Sequence, residues 1–329
     1  MKTGKELLEV LSGAICREID AFNYYRKAGK NSPLPETKAL LIQLSEEERK
    51  HREILAAEYG RIKKLTSSQS KEYIKSEKIS YAVPENFPFL NLRRIKGVEI
   101  CAVNLPTRFL GGDYFDAFPI DINNRKLLGI VICDVMGHGT DATILKALFQ
   151  SALNKIKSGL SNKERINLAN PAWLVSKLNN RLWAECERRG SFVSVLYMVV
   201  DPERKKLTYT SAGHEPAILI RKKGKKSEEL SDTGLLIGLE KARKYTQSEL
   251  GLSSGDLVLL FTDGLIEVVN SKQKEYGRAR LMELLKKNNQ IKLSELLKKI
   301  FQDLKRFNRG KNFKDEISII ALKMGEEKR

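Results

Sequence analysis

Four aspartates in this 329-residue chain stand where the backbone pattern changes. Asp113 follows two glycines in GGDYFDAF, residues 111 to 118. Asp134 closes the apolar run LLGIVICD and opens DVMGHG, Asp263 closes LVLLFTD and opens DGLIE, and Asp315 comes just before ISIIAL. Any one of them, beside a glycine or at a strand end, is ordinary turn chemistry. As a set they are more specific. Four carboxylates on one rim repel unless cations neutralise them, and hard oxygen ligands select Mg²⁺ or Mn²⁺ over zinc. Two such ions activate water for in-line attack on phosphorus and neutralise the phosphoryl oxygens. Glycines at 111, 112, 137, 139 and 264 suit this chemistry, because backbone must come close to water and phosphate.

A second constellation lies near the N-terminus. Glu18 sits inside the apolar stripe of Leu7, Leu11, Ala14, Ala21 and Tyr25, while Glu48 and His51 interrupt that of Leu41, Leu44, Leu55 and Ile62. Buried acids and imidazole are costly unless paired or metal-bound. All three lie about 20 to 28 Å along their helices from the connecting turn, so they can face one another. One carboxylate opposite a Glu-x-x-His pair is half of a di-iron carboxylate site, which two hairpins from a homodimer would complete. The plain alternative is a dimerising hairpin in which Glu48 and His51 pair with Glu18 or water.

The elements that must position these groups follow from hydrophobic period. Helical spacing predicts a hairpin of helices over 4–28 and 36–65, within a first domain of residues 1–65, joined by the turn GKNSPLP. Residues 66–90 read as a polar linker, and 91–329 as a second domain. There the period shifts to short β-branched runs: GVEICAV, KLLGIVICDV, SFVSVLYMVVD, KLTYTSA, PAILIRK, DLVLLFTDG and ISIIALKM. Helical patterns fall near 140–157, 171–188, 278–288 and 293–307. DPERKK between two runs favours antiparallel pairing, so an α+β architecture of packed, largely antiparallel sheets with helices outside is expected. In antiparallel neighbours one strand's end lies beside the next strand's start, so Asp134, Asp263 and Asp315 can share a rim with Asp113.

Taken in order, GGDYFD, ICDVMGHGTDA, FVSVLYMVVD, YTSAGHEPAIL, GLLIGL, LSSGDLVLLFTDGLIEVVN, EYGRARL and DEISIIAL resemble the metal-dependent protein serine/threonine phosphatases of the protein phosphatase 2C superfamily. The likeness covers roughly residues 85 to 324 and is greatest to the branch named for sporulation stage II protein E (SpoIIE). It implies an α-β-β-α sandwich and two Mn²⁺ or Mg²⁺ ions held by Asp113, Asp134, Asp263 and Asp315. The Val135 carbonyl would complete the site and Asp134 would bridge both ions. The last block here reads Asp315, Glu316, Ile317 and Ser318, with Glu and Ser where the family often has a second acid and a threonine. Asp116 and His214 take weaker, supporting places. Two rival chemistries fail on spacing: CAVNLPTR has six residues between Cys101 and Arg108, one too many for a cysteine phosphatase, and Tyr114 stands where a nucleotide cyclase needs its second acid.

REIDAFNYYRKAG and LSEEERKHREIL are similar to the ferritin-like, rubrerythrin-type family over residues 4–65, through Glu18, Ala21 and Tyr25 and through Glu48 and His51. Together the resemblances imply a phosphatase acting on a phosphorylated anti-sigma-factor antagonist with a STAS domain. An iron-, oxygen- or peroxide-sensing hairpin would regulate it. The competing reading makes the hairpin a di-iron oxidase or peroxidase and the larger domain a phosphatase-like binding module.

Composition sets the remaining bounds. The net charge of +18 is spread along the chain and interleaved with Glu, without a basic stripe carrying stacking aromatics, so an acidic protein partner is expected rather than nucleic acid. No apolar run is long enough to cross a membrane and the N-terminal stretch carries acids, so a cytoplasmic protein is expected. The four cysteines are dispersed, which points to reduced, packed thiols rather than disulfides or a zinc knuckle.

Overall fold

The computed structural model describes residues 95–325, except 106–110, 123, 137–139, 162, 223–225, 232 and 312, together with six positions between 35 and 49. The chain divides into two compact units, Met1–Ser80 and Tyr81–Arg329. In the first, Pro35, Lys38, Ile42, Ser45, Glu46 and Arg49 are helical, and Arg49 pairs with Glu46 at 2.7 Å. Glu18, Glu48 and His51, the rest of the expected hairpin and the linker 66–90 lie outside the described residues.

The second unit holds two sheets. One runs β1 (Val98–Leu105), β11 (Ile317–Met324), β10 (Leu257–Phe261), β6 (Ala217–Ile220) and β7 (Ser227–Leu230). The other runs β2 (Tyr114–Ile122), β3 (Arg125–Val135), β4 (Val193–Asp201), β5 (Lys206–Ala212) and β8 (Thr233–Gly234), with β9 (Ser248–Gly251) also paired to β5. Every ladder is antiparallel except the two-residue β5–β8 contact.

The central strands are apolar on both faces, and that decides the layering. On β3, Leu128, Ile130 and Ile132 enter the core between the sheets, while Val131, Cys133 and Val135 face the opposite way. On β10 and β11, Val258, Leu260, Ile320 and Leu322 face the same inter-sheet core, while Leu257, Leu259, Ile317 and Ile319 face a third cluster. A sheet apolar on both sides must be covered on both. Helices α1 (Thr140–Gly159) and α2 (Pro171–Arg189) cover the second sheet, packing Leu145, Phe149, Leu174 and Leu178 against it. Helices α3 (Arg278–Asn288) and α4 (Leu293–Phe307) cover the first. On α4, Leu293, Leu296, Leu297, Ile300, Phe301 and Leu304 form one buried stripe at helical spacing. The resulting α-β-β-α sandwich of mainly antiparallel sheets is the expected α+β architecture.

Helix α2 shows how local sequence fixes an element. Asn170 accepts a hydrogen bond from the Trp173 N–H at 2.9 Å, Pro171 takes the first helical position, and Gly190 ends the helix in the left-handed region at φ 60°. Cys133 and Cys186 are buried and free, and Cys101 is half-buried and free. Among the described residues no helix is long and apolar enough to cross a membrane.

Candidate metal centre and its cavity

The alternation that builds the inter-sheet core also aims the acids. Asp134 continues the face of Leu128, Ile130 and Ile132 at the end of β3, and the pairing of Tyr114 with Cys133 carries the preceding Asp113 to the same end. Glu316 and Ser318 share the face of Ile320 and Leu322 on β11, and Thr262 follows Val258 and Leu260 on β10. Asp263 opens a short 3₁₀ turn directly after β10, and Asp315 immediately precedes Glu316.

A chain of hydrogen bonds fixes Asp113. The Thr262 hydroxyl donates to Asp113 Oδ2 at 2.8 Å and accepts from the Ser318 N–H at 3.1 Å, while Asn104 Nδ2 donates to Ser318 Oγ at 2.9 Å. The Asp113 N–H donates to Glu316 Oε2 at 3.0 Å. Close approach of backbone requires Gly112, and Gly111 leaves room for the Glu316 carboxylate. A Cβ on Gly111 would fall 1.6 Å from Glu316 Cδ, and one on Gly112 would fall 2.6 Å from the Val135 carbonyl oxygen and 3.1 Å from Asp134 Oδ1. Gly264 likewise leaves room for the Glu316 carbonyl, 2.0 Å from where its Cβ would stand.

The electrostatics are those of crowded like charges. Burial raises the Asp134 carboxyl well above the usual range, and Asp113, Asp263, Asp315 and Glu316 raise it further. Burial also raises Asp113, against the hydrogen bonds from Ser318 and Thr262 and with the charges of Glu316 and Asp263. Asp263 is raised by burial and Asp315, and Glu316 by burial, offset in part by Lys146. Among the described residues no group of three His, Cys, Asp or Glu side chains is already arranged to hold a metal ion. The acids therefore share a rim and an electric field rather than a closed cage. A donor set of carboxylates fits a hard divalent cation.

Carboxyls raised in the folded state favour the fold below their unfolded values, and that contribution is lost as pH rises through the folded values. Metal-free protein is therefore expected to fall in Tm as pH rises from about 5.5 through the folded values of Asp113, about 7, and Asp134, about 8, by roughly 5 °C or more. Saturating Mn²⁺ should flatten the fall. Thermal melts with chelator and with Mn²⁺ across that range check this, and a metal-free Tm that climbs with pH would contradict it.

Asp134 and Asp263 line one cavity of about 190 Å³ with Met136, Ser194, Gly213, His214, Glu215 and Leu236. His214 is buried, with Nδ1 2.8 Å from Ser194 Oγ. Burial lowers its imidazole to about 4, against the Phe261 carbonyl, so it is neutral at physiological pH. Arg278 forms an ion pair with Glu215, donates to the Pro216 carbonyl at 2.9 Å and lies over the Phe261 ring. Asp116 is elsewhere: it pairs with Lys157 at 2.8 Å and lines a separate groove between β2 and α1. Thr262, Ser318, Asn104 and Glu316 are bonded around Asp113 and Lys146 acts on Glu316, although the sequence reading gives none of them a role in the site. Strand parity is the signal that finds Glu316 and Ser318.

Comparison with known proteins matches residues 124–325 to the family model described as Stage II sporulation protein E (SpoIIE), and residues 9–94 to the Rubrerythrin family model. The first match contains Asp134, Asp263 and Asp315; Asp113 precedes it. Protein IcfG of Synechocystis sp. is 28% identical over 258 residues, which are 73% of this chain and 40% of that protein. Phosphoserine phosphatase RsbU of Bacillus subtilis is 24% identical over 252 residues, 76% of this chain and 70% of that protein. The chain thus spans well under two thirds of the first relative's length. Among solved structures, the SiaA-PP2C domain of Pseudomonas aeruginosa superposes with a TM-score of 0.57 at 18% identity, covering 68% of this chain and 85% of that one. That likeness is one of fold.

Proposed function

Since the chain belongs to the Stage II sporulation protein E family, we propose that it is a divalent-metal-dependent protein serine/threonine phosphatase working at the Asp113–Asp134–Asp263–Asp315 rim. The observation that carries this is the convergence of carboxylates from separate segments, each of Asp113, Asp134 and Asp263 raised by burial and by its neighbours. Asp113, Asp134, Asp263, Asp315 and the Val135 carbonyl would hold two Mn²⁺ or Mg²⁺ ions. When bound, such ions activate water and neutralise phosphoryl oxygens. Thr262 and Ser318 orient the Asp113 carboxylate, Glu316 secures the backbone that presents it, and Gly112 lets the Val135 carbonyl lie at the rim. The cavity beside Asp134 and Asp263 admits the phosphorylated side chain.

The substrate we infer is a phosphoserine or phosphothreonine on an anti-sigma-factor antagonist with a STAS domain, in a partner-switching pathway. The relative named phosphoserine phosphatase RsbU supports the reaction type. Phosphate release from such a phosphoprotein, present with Mn²⁺ and absent with chelator, is the test; equal release in both conditions would sink the metal assignment.

The N-terminal unit adds a second proposal, supported by the Rubrerythrin match. Glu18, Glu48 and His51 from two chains of a homodimer would hold a di-iron centre that senses iron, oxygen or peroxide. Iron in aerobically purified full-length protein should fall at least about fivefold in the Glu48→Ala, His51→Ala double variant, because ligands set metal affinity. Equal iron contents leave the hairpin a plain dimerisation element.

A further inference from the structure

Resting on the phosphatase reading, the geometry points to an apolar lip at the cavity mouth that selects phosphoproteins carrying an apolar side chain next to the phosphorylated serine. Among the described residues six large apolar side chains are exposed, and three of them, Met136 at 51%, Leu235 at 43% and Leu239 at 45%, belong to the two segments that flank this cavity. Those segments are held side by side by β4. The Met136 N–H donates to the Phe192 carbonyl at 2.9 Å, and Ile237 exchanges two backbone hydrogen bonds with Val193, at 2.9 and 3.1 Å. Met136 and residue 237 are therefore about two strand spacings apart, roughly 10 Å.

The position of the lip decides what covers it. Met136 and Leu236 line the cavity wall together with Asp134 and Asp263, so apolar side chains and acids stand in the same cavity. Leu236 is seated over Gly213, where an added Cβ would fall 2.6 Å from Leu236 Cδ2, and the neighbouring residues Leu235 and Leu239 are left facing outward. A permanent partner on this lip would block the cavity. A polypeptide whose phosphoserine enters the cavity covers it only during turnover, placing its flanking residues on Met136, Leu235 and Leu239. Exposed apolar side chains gathered at one place, with polar neighbours, are the mark of such a contact surface.

The test uses full-length protein with Mn²⁺ and three probes: a phosphoserine peptide with leucines flanking the phosphoserine, the same peptide with serines there, and para-nitrophenyl phosphate. The leucine peptide should exceed the serine peptide in kcat/KM by roughly tenfold. In the Leu235→Ser, Leu239→Ser double variant that ratio should fall to within about twofold, with the aryl phosphate reporting the chemistry alone. Equal rates for the two peptides in the wild type, or a ratio that survives the double substitution, overturn the proposal. So does a variant that changes only the oligomeric state, which would make the lip a contact between copies. Hydrolysis of none of the three probes overturns the phosphatase reading itself, whereas aryl phosphate turnover without peptide preference removes the lip alone.

Discussion

Asp134→Asn should lower kcat/KM toward a phosphoserine protein by about a thousandfold or more while making the metal-free protein more heat-stable. The two effects have one cause. Asp134 is the acid on which Asp113, Asp263, Asp315 and Glu316 all act, and burial alone already disfavours its charged form. Asparagine keeps the shape and removes the charge, so without metal the repulsion at the rim eases and the fold gains. With metal present, the same change removes a carboxylate that would hold the cations. Phosphate release and thermal melts on wild type and variant, each with chelator and with Mn²⁺, read both effects. Undiminished activity would remove Asp134 from the reaction, and a lower metal-free Tm would contradict the electrostatic account.

Gly112→Ala should cost nearly as much for a steric reason. Its Cβ would press on the Val135 carbonyl oxygen at 2.6 Å, the Val135 nitrogen at 3.0 Å and Asp134 Oδ1 at 3.1 Å. Two of these are backbone atoms of a strand inside a paired sheet, so relief requires moving the end of β3 or the Asp113 segment. Displacement of reacting groups by about 1 Å costs on the order of a hundredfold, and kcat/KM should fall by that much with weaker Mn²⁺ activation. Overpacking should also destabilise the fold by about 1–3 kcal/mol. Gly251→Ala is the control, since nothing lies within 4 Å of an added Cβ there and its φ is ordinary. Metal activation that is equal in the two variants would show that the close approach at Gly112 has no bearing on the site.

Much of this arrangement is legible in the sequence, and the exceptions have physical reasons. The strands buried on both faces, β3, β4, β10 and β11, announce themselves as β-branched runs with aspartates at their ends. β2 does not: YFDAFPIDI contains Pro119 and two acids and reads as an approach to Asp113 rather than a strand. It sits at a sheet edge, where a residue without an N–H is tolerated and the outer side needs no apolar cover. β7, SEEL, and β9, SELG, are short and polar for the same reason, held by backbone bonds at the margins.

At the site, residues with their own motif signature stand out, and those that act through partners do not. Thr262 reaches Asp113 across 149 residues of sequence, Glu316 across 203, and Asn104 reaches Ser318 across 214. Such pairings are set by register between strands distant in the chain, which no local pattern states. In the sequence Glu316 and Ser318 match positions of the family's last block without a role of their own; their shared parity with Ile320 and Leu322 turns them toward the rim. Asp116 illustrates the reverse. Its place in GGDYFD suggests support for the site, and its carboxylate lies instead with Lys157 on the face toward α1.

Calorimetric titration of Mn²⁺ into metal-free full-length protein asks whether the acid rim is a cation site. Binding should release protons, because raised carboxyls must give them up to the metal, with the heat varying between buffers of different ionisation enthalpy. Asp134→Asn should remove this binding. Mn²⁺ that binds equally well to wild type and variant, without proton release, would contradict it.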